Sequence, residues 1–489
     1  MSEHTADVQT VEAAPAPEAR SGRGLVVFTA VMTFAAGAVS YMLAPLLPVL
    51  QRDYSLSLGE VALVFTLIVL GGGVSVVLLP RSADALGDRG AAALGTGLMT
   101  AGTLVAGAVQ TYPALLVGAS LMGLGAATSQ IGVGILRRHL PGTSVRTAVT
   151  VTQVAHALGG GAGLIAGGIA LSYVDMRGFF FSAAAIYALI GVFAMVMIPR
   201  SPRNPDTRFG AADLVGLVVW VVALLYGIKL ASSSGFLQPL SIVLLVVGLL
   251  GGAAWLRFER RSAAPVLHLD LLRSPVVAKT VVAGISIGMA IQAVTFLIPF
   301  YVQRSPDTAG FGFGFTVLDT GLVLLPYALA AAVSSVVAGT FISRGRPLFI
   351  AGVGAACHAV AGLTLALNLA HLPAFVVAAV VYGIGSGMVA VGLFGSVQSA
   401  VPEKLAGMGT SMVGIVLTIS GSLGPAIYSA VLQASATAGP AAGPSPRGFV
   451  VCFVIALCVD LAVALLCVLH RYRATPATPA PRSAVAATP

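Results

Sequence analysis

Charge is what this sequence has least of. Only 9% of its 489 residues are Asp, Glu, Lys or Arg, against about a quarter in an ordinary water-soluble domain, which excludes a chain wetted over its whole surface. Cysteine is nearly as scarce. Cys357, Cys452, Cys458 and Cys467 all fall inside apolar runs and lack the spacing of a disulfide framework or a metal site. They read as small buried hydrophobes, and no metal and no cofactor is expected. There is no Walker-type loop, no His-Glu-x-x-His and no Gly-x-Ser-x-Gly, and no polar stretch outside the apolar runs is long enough for a catalytic domain. The chain is not expected to be an enzyme. The apolar runs do not alternate with period two, which excludes a transmembrane barrel.

In place of charge the chain carries 57% hydrophobic residues, 58 glycines and a mean hydropathy of +0.97. Fourteen apolar runs, from 24–50 to 447–470, are each long enough to cross about 30 Å of hydrocarbon as a helix. Glycine at this level suits helices packed in lipid, where small residues let backbones approach. The expected fold is therefore all-α and polytopic, with fourteen transmembrane spans.

Basic residues orient the spans. Of the 26 Lys and Arg, 21 fall in one set of loops and tails, including Arg81, Arg89, Arg137, Arg138 and Arg257 to Arg261. Four, Arg52, Arg177, Arg304 and Arg447, fall in the other set, and Lys229 lies inside span 7. Cytoplasmic loops collect Lys and Arg, so a multi-pass protein of the inner (plasma) membrane with both termini cytoplasmic is expected. The net charge of +9 then follows from topology and calls for no nucleic acid. Residues 1–23 and 471–489 are rich in Ala and Pro and read as disordered cytoplasmic tails.

The chain repeats itself. Pro113 to Gly125 recurs as Pro373 to Gly385, so that span 4 matches span 12; Pro141 falls over Pro402, Gly163 over Gly424, and Arg177-Gly-Phe recurs as Arg447-Gly-Phe. An offset of eight spans keeps the copies parallel. Two six-helix bundles, 24–198 and 274–470, are expected on either side of a linker, 199–273, that carries the inserted spans 7 and 8.

With this layout the chain resembles the major facilitator superfamily, in its fourteen-helix drug:proton antiporter branch, over nearly its whole length. The loop PRSADALGDRG resembles that family's Gly-x-x-x-Asp-x-x-Gly-x-Arg signature, with Asp84, Gly87 and Arg89 kept and Pro80 in place of the first Gly. In span 5, the run from Gly159 through Gly163 to Gly167 and Gly168 resembles the antiporter motif, with Leu164 in place of Pro; its sister, span 13, supplies Gly424-Pro425. FERRSAAPVLHLDLL, Tyr301-Val-Gln303 and Gly321 to Pro326 also match the branch around spans 8 to 10. The resemblance implies export of a lipophilic small molecule, such as a drug, antibiotic or natural product, by alternating access, with Asp84, Gly87 and Arg89 as a cytoplasmic gate. The chain departs from the pattern at two positions tied to proton coupling: span 1 has no acid, and Ala119 stands where span 4 has Arg. Coupling is thereby left open, and facilitated diffusion or import of a metabolite is the alternative.

Gly159, Gly163 and Gly167 lie on one helical face, expected to be either a packing face or a seam between the bundles. Glu60 and Asp319 read first as capping-box acids of Ser57-Leu-Gly-Glu60 and Thr316-Val-Leu-Asp319. Ionisable residues within spans are costly and therefore candidates: His156, Lys229, His358 and Asp460. The resemblance places spans 11 and 14 outside the cavity, which assigns structural roles to His358 and Asp460 and leaves His156 as the titratable candidate. Gln130, His156, Gln292, Tyr301, Asp319 and Tyr327 form the candidate substrate or proton pathway. The expected partners are a small molecule, the bilayer and, if coupling exists, protons, with the chain acting as a monomer.

Overall fold

The computed structural model of the chain describes residues 22–140, 142–201, 211–234, 238–261, 269–342, 346–401, 406–436 and 443–469. Apart from residues 22 and 23, the two expected tails lie outside the described residues. Numbered by the spans expected from the sequence, span 1 is α1 (Gly22–Met42), a 3-10 turn at Ala44–Leu46 and α2 (Leu47–Asp53). Spans 2 and 3 run together as α3 (Leu58–Ala108), whose 51 residues at 1.5 Å each supply about 75 Å of helix in two segments, enough to cross about 30 Å of hydrocarbon twice. The run is broken at Gly87, where φ is 79° and ψ 167°, a backbone conformation open to glycine and strained for other residues. Ser57 and Glu60 form a full capping box at its start.

Span 4 is α4 (Tyr112–Gly125) and α5 (Thr128–His139), followed by α6 (Gly142–Leu171), α7 (Met176–Met197), α8 (Ala211–Ser234) and α9 (Pro239–Glu259) as spans 5 to 8. Span 9 is α10 (Pro275–Gln292), a π segment at Ala293–Leu297 and α11 (Ile298–Val302), with a short α12 (Pro306–Ala309) after it. Spans 10 to 14 are α13 (Val317–Ile342), α14 (Pro347–Leu367), α15 (Leu372–Ala400), α16 (Ala406–Ala434) and α17 (Pro446–Val468). Among the described residues, eleven helices are long and apolar enough to cross a membrane, with α3 counted once, α4 too short to count and α8 not among them. The fold is all-helical, as only helices satisfy every backbone donor and acceptor within a single span.

The packing repeats as the sequence does. In the first half α1 packs on α6, α3 on α4 and α3 on α7; in the second half α10 packs on α16, α13 on α15 and α14 on α17. Sister glycines make sister contacts. Gly123 of α4 lies against the Gly71 backbone of α3, and Gly383 of α15 lies against the Tyr327 carbonyl of α13. The α8/α9 hairpin is locked by Trp220 and Trp255, whose rings lie 6.4 Å apart, and α8 touches both α3 and α16.

The glycine face of α6 turns inward to its own bundle. A Cβ at Gly159 would overlap the Phe34 carbonyl oxygen and one at Gly163 the Ala38 carbonyl oxygen, both on α1, while Gly167 lies over Met42 and Leu46. Gly168, by contrast, faces Leu318 of α13 across the two halves. Gly163→Leu is accordingly expected to cost folded protein, by about 3 kcal/mol or more because backbone cannot yield as a side chain can. Thermal denaturation in detergent checks this, and a wild-type melting temperature would contradict the α1/α6 contact.

Candidate functional site

Two seams join the halves. Along one, α3 meets α16 from Thr66, whose hydroxyl donates to the Ser422 carbonyl at 3.4 Å, through Val69 and Gly421 and Gly73 and Thr418 to Val76 and Gly414. Along the other, α6 meets α13: Gly161 against Leu325 and Ala328, Leu164 and Ile165 against Gly321, and Gly168 against Leu318. The stripe of α6 that makes this second seam has a spacing of three and four residues. Continued toward the end of α6 nearest the basic loops, it reaches Leu158, Val154 and Val151, which are 51%, 42% and 42% exposed. On α13 the matching continuation reaches Val336, 59% exposed, and Gly339, where a Cβ would meet no neighbour. One face of one helix pair is thus buried on the far side and bare on the basic side, which is a cleft open toward the basic loops.

The far side is closed by several contacts between the halves. Gln303 Nε2 donates to the Pro45 carbonyl at 2.7 Å, and Phe65 stacks on Phe296 with ring centroids 6.4 Å apart. Behind them Tyr301 stacks on Phe375 at 5.2 Å and meets the edge of Phe449. Tyr301 therefore belongs to an aromatic plug within the second bundle. Arg304, outside the membrane-spanning segments, lies over Gly443, and desolvation lowers its guanidinium pKa from the ordinary value.

Other candidates are spread along the interior. At the apex of the cleft, where the α6/α13 contact ends, Tyr41 of α1 lies over Gly160, and its ring is 6.4 Å from that of Tyr327 of α13. His156 is half-buried, its Nδ1 3.3 Å from the Thr33 carbonyl oxygen of α1. Gln292 is buried beside the π segment; its Oε1 accepts from Thr295 at 3.1 Å, and its Nε2 has no partner. Asp319 accepts from the Thr316 amide at 3.0 Å and the Thr316 hydroxyl at 2.7 Å, so its carboxylate is engaged as a cap. The side chains of Gln130, Gln153 and Lys229 lie outside the described residues. A second cavity of about 790 Å³ lies between α13, α14 and α15 in the basic-side half. Leu329, Val333, Phe341, Phe349 and Met388 line it, with Arg346 at its rim.

At the basic mouth the decisive acid is one the motif does not mark. Asp88, fully buried, takes both arms of the Arg138 guanidinium, with the Nε to Oδ2 distance at 3.2 Å. Its amide donates to Ser201 Oγ at 2.7 Å, and His139 Nδ1 stands 3.8 Å away. Asp84 is half-exposed and reaches Arg138 at 3.8 Å. Arg89 Nε donates to the Ile198 carbonyl at the end of α7, where a cation satisfies the unpaired carbonyls of a helix terminus. Gly87 makes this possible, since its left-handed φ turns Asp88 inward. These partners lie in the first bundle or, for Ser201, just past the end of α7, so the cluster ties α3, α5 and the end of α7 together. The sequence signal for Asp88 was the Arg138-His139 pair, also on the basic side.

The family described as the Major Facilitator Superfamily matches residues 29–425. The multidrug resistance protein Stp of Mycobacterium tuberculosis is 24% identical over 394 residues, covering 79% of this chain and 72% of its own. The puromycin resistance protein pur8 of Streptomyces alboniger is 29% identical over 454 residues, covering 86% and 85%. The tetracenomycin C resistance and export protein of Streptomyces glaucescens is 24% identical over 394 residues, covering 79% and 71%. Among solved structures, the nucleoside transporter NupG superposes with a TM-score of 0.68 at 12% identity over 91% of this chain and 99% of that one. The peptide transporter POT in complex with sulfate superposes with a TM-score of 0.67 at 14% identity over 91% and 94%.

The geometry at the basic mouth ranks its two acids. Asp88→Asn strips a buried partner from Arg138 and is expected to cost about 3 kcal/mol, less than a fully dry pair because Arg138 keeps partial contact with water. Asp84→Asn is expected to stay within about 1 kcal/mol of wild type. Parallel melting curves of the two variants check the ranking.

Proposed function

The chain belongs to the major facilitator superfamily, and from that premise we propose that it exports lipophilic small molecules by rocking one six-helix bundle against the other. The observation that carries this reading is the cleft, shut at the far side by Gln303, Pro45, Phe65 and Phe296 and open between Leu158 and Val336. Alternating access needs two such arrangements of one seam, and the α6/α13 seam has the small residues, Gly161, Gly168 and Gly321, that let it close again.

The basic face is the cytoplasmic one in this reading, which puts both termini and the loop of Arg257 to Arg261 in the cytoplasm and makes the state described open to the cytoplasm. The fourteen-helix drug:proton branch is the assignment favoured within the family. It is supported by the α8/α9 hairpin between the halves, by the length of α3 and by relatives named for multidrug resistance, puromycin resistance and tetracenomycin C export.

The apolar second cavity and the engagement of Glu60 and Asp319 as caps favour neutral or weakly acidic amphipathic substrates. A cation held at depth needs an uncommitted carboxylate. In cells expressing the protein, accumulation of tetracenomycin C, a neutral polycyclic, is expected to fall more than that of puromycin, a basic amine. Equal accumulation with and without the protein, for both compounds, would overturn the reading. Gly168→Leu, which wedges the seam at Leu318, is expected to reduce export by about tenfold to a hundredfold, from 1 to 3 kcal/mol of overpacking, with normal amounts in the membrane. A reporter fused after Arg482 is expected to be cytoplasmic, and a reporter signal from the other side would reverse the orientation.

A further inference from the structure

A continuous polar path crosses the second bundle from α17 to α13. Asp460 of α17 and His358 of α14 are both fully buried, with Asp460 Oδ1 3.7 Å from His358 Nδ1 and also accepting from the Ser286 hydroxyl of α10. On the other side of the imidazole, Nε2 lies 3.1 Å from Ser386 Oγ of α15. Tyr327 of α13 donates to that same oxygen at 3.4 Å, and the ring of Tyr327 lies 6.4 Å from that of Tyr41 of α1. Asp460 Oδ2 and His358 Nδ1 have no hydrogen-bond partner. Three more groups face the pair: Tyr382 of α15, whose ring centroid is 5.7 Å from that of His358, Tyr428 of α16, which donates to the Met289 carbonyl at 3.0 Å, and Cys452 of α17 itself. Lys279 lies on α10 two turns toward the basic side of Ser286.

Resting on the transporter reading, we infer that Asp460 and His358 form a proton-binding site, with Ser386, Tyr327 and Tyr41 as its path to the apex of the cleft. The pair is neutral with one proton and charged with none or two, and a medium this dry favours the neutral form. Transfer outward balances at every atom. Once the Tyr327 hydroxyl turns from Ser386 toward Tyr41, His358 Nε2 gives a proton to Ser386 Oγ, Ser386 gives its own to Tyr327, Tyr327 its own to Tyr41 and Tyr41 its own to water in the cleft, so that each oxygen gains one and loses one. The path crosses between bundles at the step from Tyr327 to Tyr41, beside the contact of Gly161 with Ala328. Opening the far side pulls that seam apart and cuts the path there, so proton access alternates with substrate access. The span 1 acid that this chain lacks is then replaced by a carboxyl on an outer helix.

The test needs no substrate. Spin labels at Leu158→Cys and Val336→Cys, with Cys357→Ala and Cys458→Ala in the background, report the width of the cleft in lipid by pulsed electron resonance. In the otherwise wild-type protein the ratio of open to closed populations is expected to change with pH by up to tenfold per unit, the ceiling for one linked proton. Asp460→Asn and His358→Gln are expected to abolish that slope. Ser386→Ala is expected to keep the slope and to slow relaxation after a pH jump by about a hundredfold, the usual contribution of one positioned proton donor. A flat response without these three changes, or a retained slope in whichever of Asp460→Asn and His358→Gln folds, overturns the site. Wild-type relaxation in Ser386→Ala overturns the path. Failure to export tetracenomycin C would overturn the export reading and leave the pH slope to be measured on its own.

Discussion

Lipid tails are as apolar as leucine, so helices in hydrocarbon gain little by burying side chains against each other, and this fold depends on how closely backbones approach at glycine. The contact of α1 with α6 is the clearest case, since Gly159 and Gly163 are spaced so that carbonyl oxygens of Phe34 and Ala38 fill the space a Cβ would take. Gly71 with Gly123 and Gly383 with Tyr327 repeat the device in the two halves. Contacts of this kind make each bundle rigid. The motion of a transporter must then occur between the bundles, and the α6/α13 seam is the one that parts toward the basic side.

The two seams are unequal for a physical reason. Along α3 and α16 the contact extends from Thr66 to Val76, and α8 packs over both helices, with Val221 in one apolar cluster with Leu70, Val74, Met412 and Val413. Across the molecule α6 and α13 have no such strap and part below Gly161. The inserted hairpin thus biases the molecule to hinge along one edge and open along the other.

Much of this was legible in the sequence, because a span is a length of apolar residues and a repeat is a shift of the alphabet. The 260-residue offset linking Gly123 to Gly383 foretold that sister glycines would meet sister helices. Less legible was which neighbour each face would meet. A spacing of four marks Gly159, Gly163 and Gly167 as one face, but the identity of the helix opposite is a tertiary fact, and it is α1. Asp88 escaped notice for a related reason, since its burial depends on one backbone angle at Gly87. Asp460 and His358 were visible as costly residues. What the sequence did not carry was that α15 and α13 place hydroxyls in line with them.

That last point bears on why such residues persist. A buried pair capable of charge is a poor source of stability, because apolar residues of like volume usually serve as well or better. Ser286 alone would satisfy only one carboxylate oxygen, and Oδ2 of Asp460 and Nδ1 of His358 remain without partners. A purely architectural pair would be expected to close those gaps, since each orphaned polar atom in so dry a place costs about 1 to 3 kcal/mol. An arrangement that leaves capacity at one end and a run of hydroxyls at the other fits a site that exchanges something small. That run ends at Tyr327, whose ring lies 6.4 Å from that of Tyr41 on the first bundle, and its position at the apex of the cleft links the cost of burying Asp460 to the movement of the bundles.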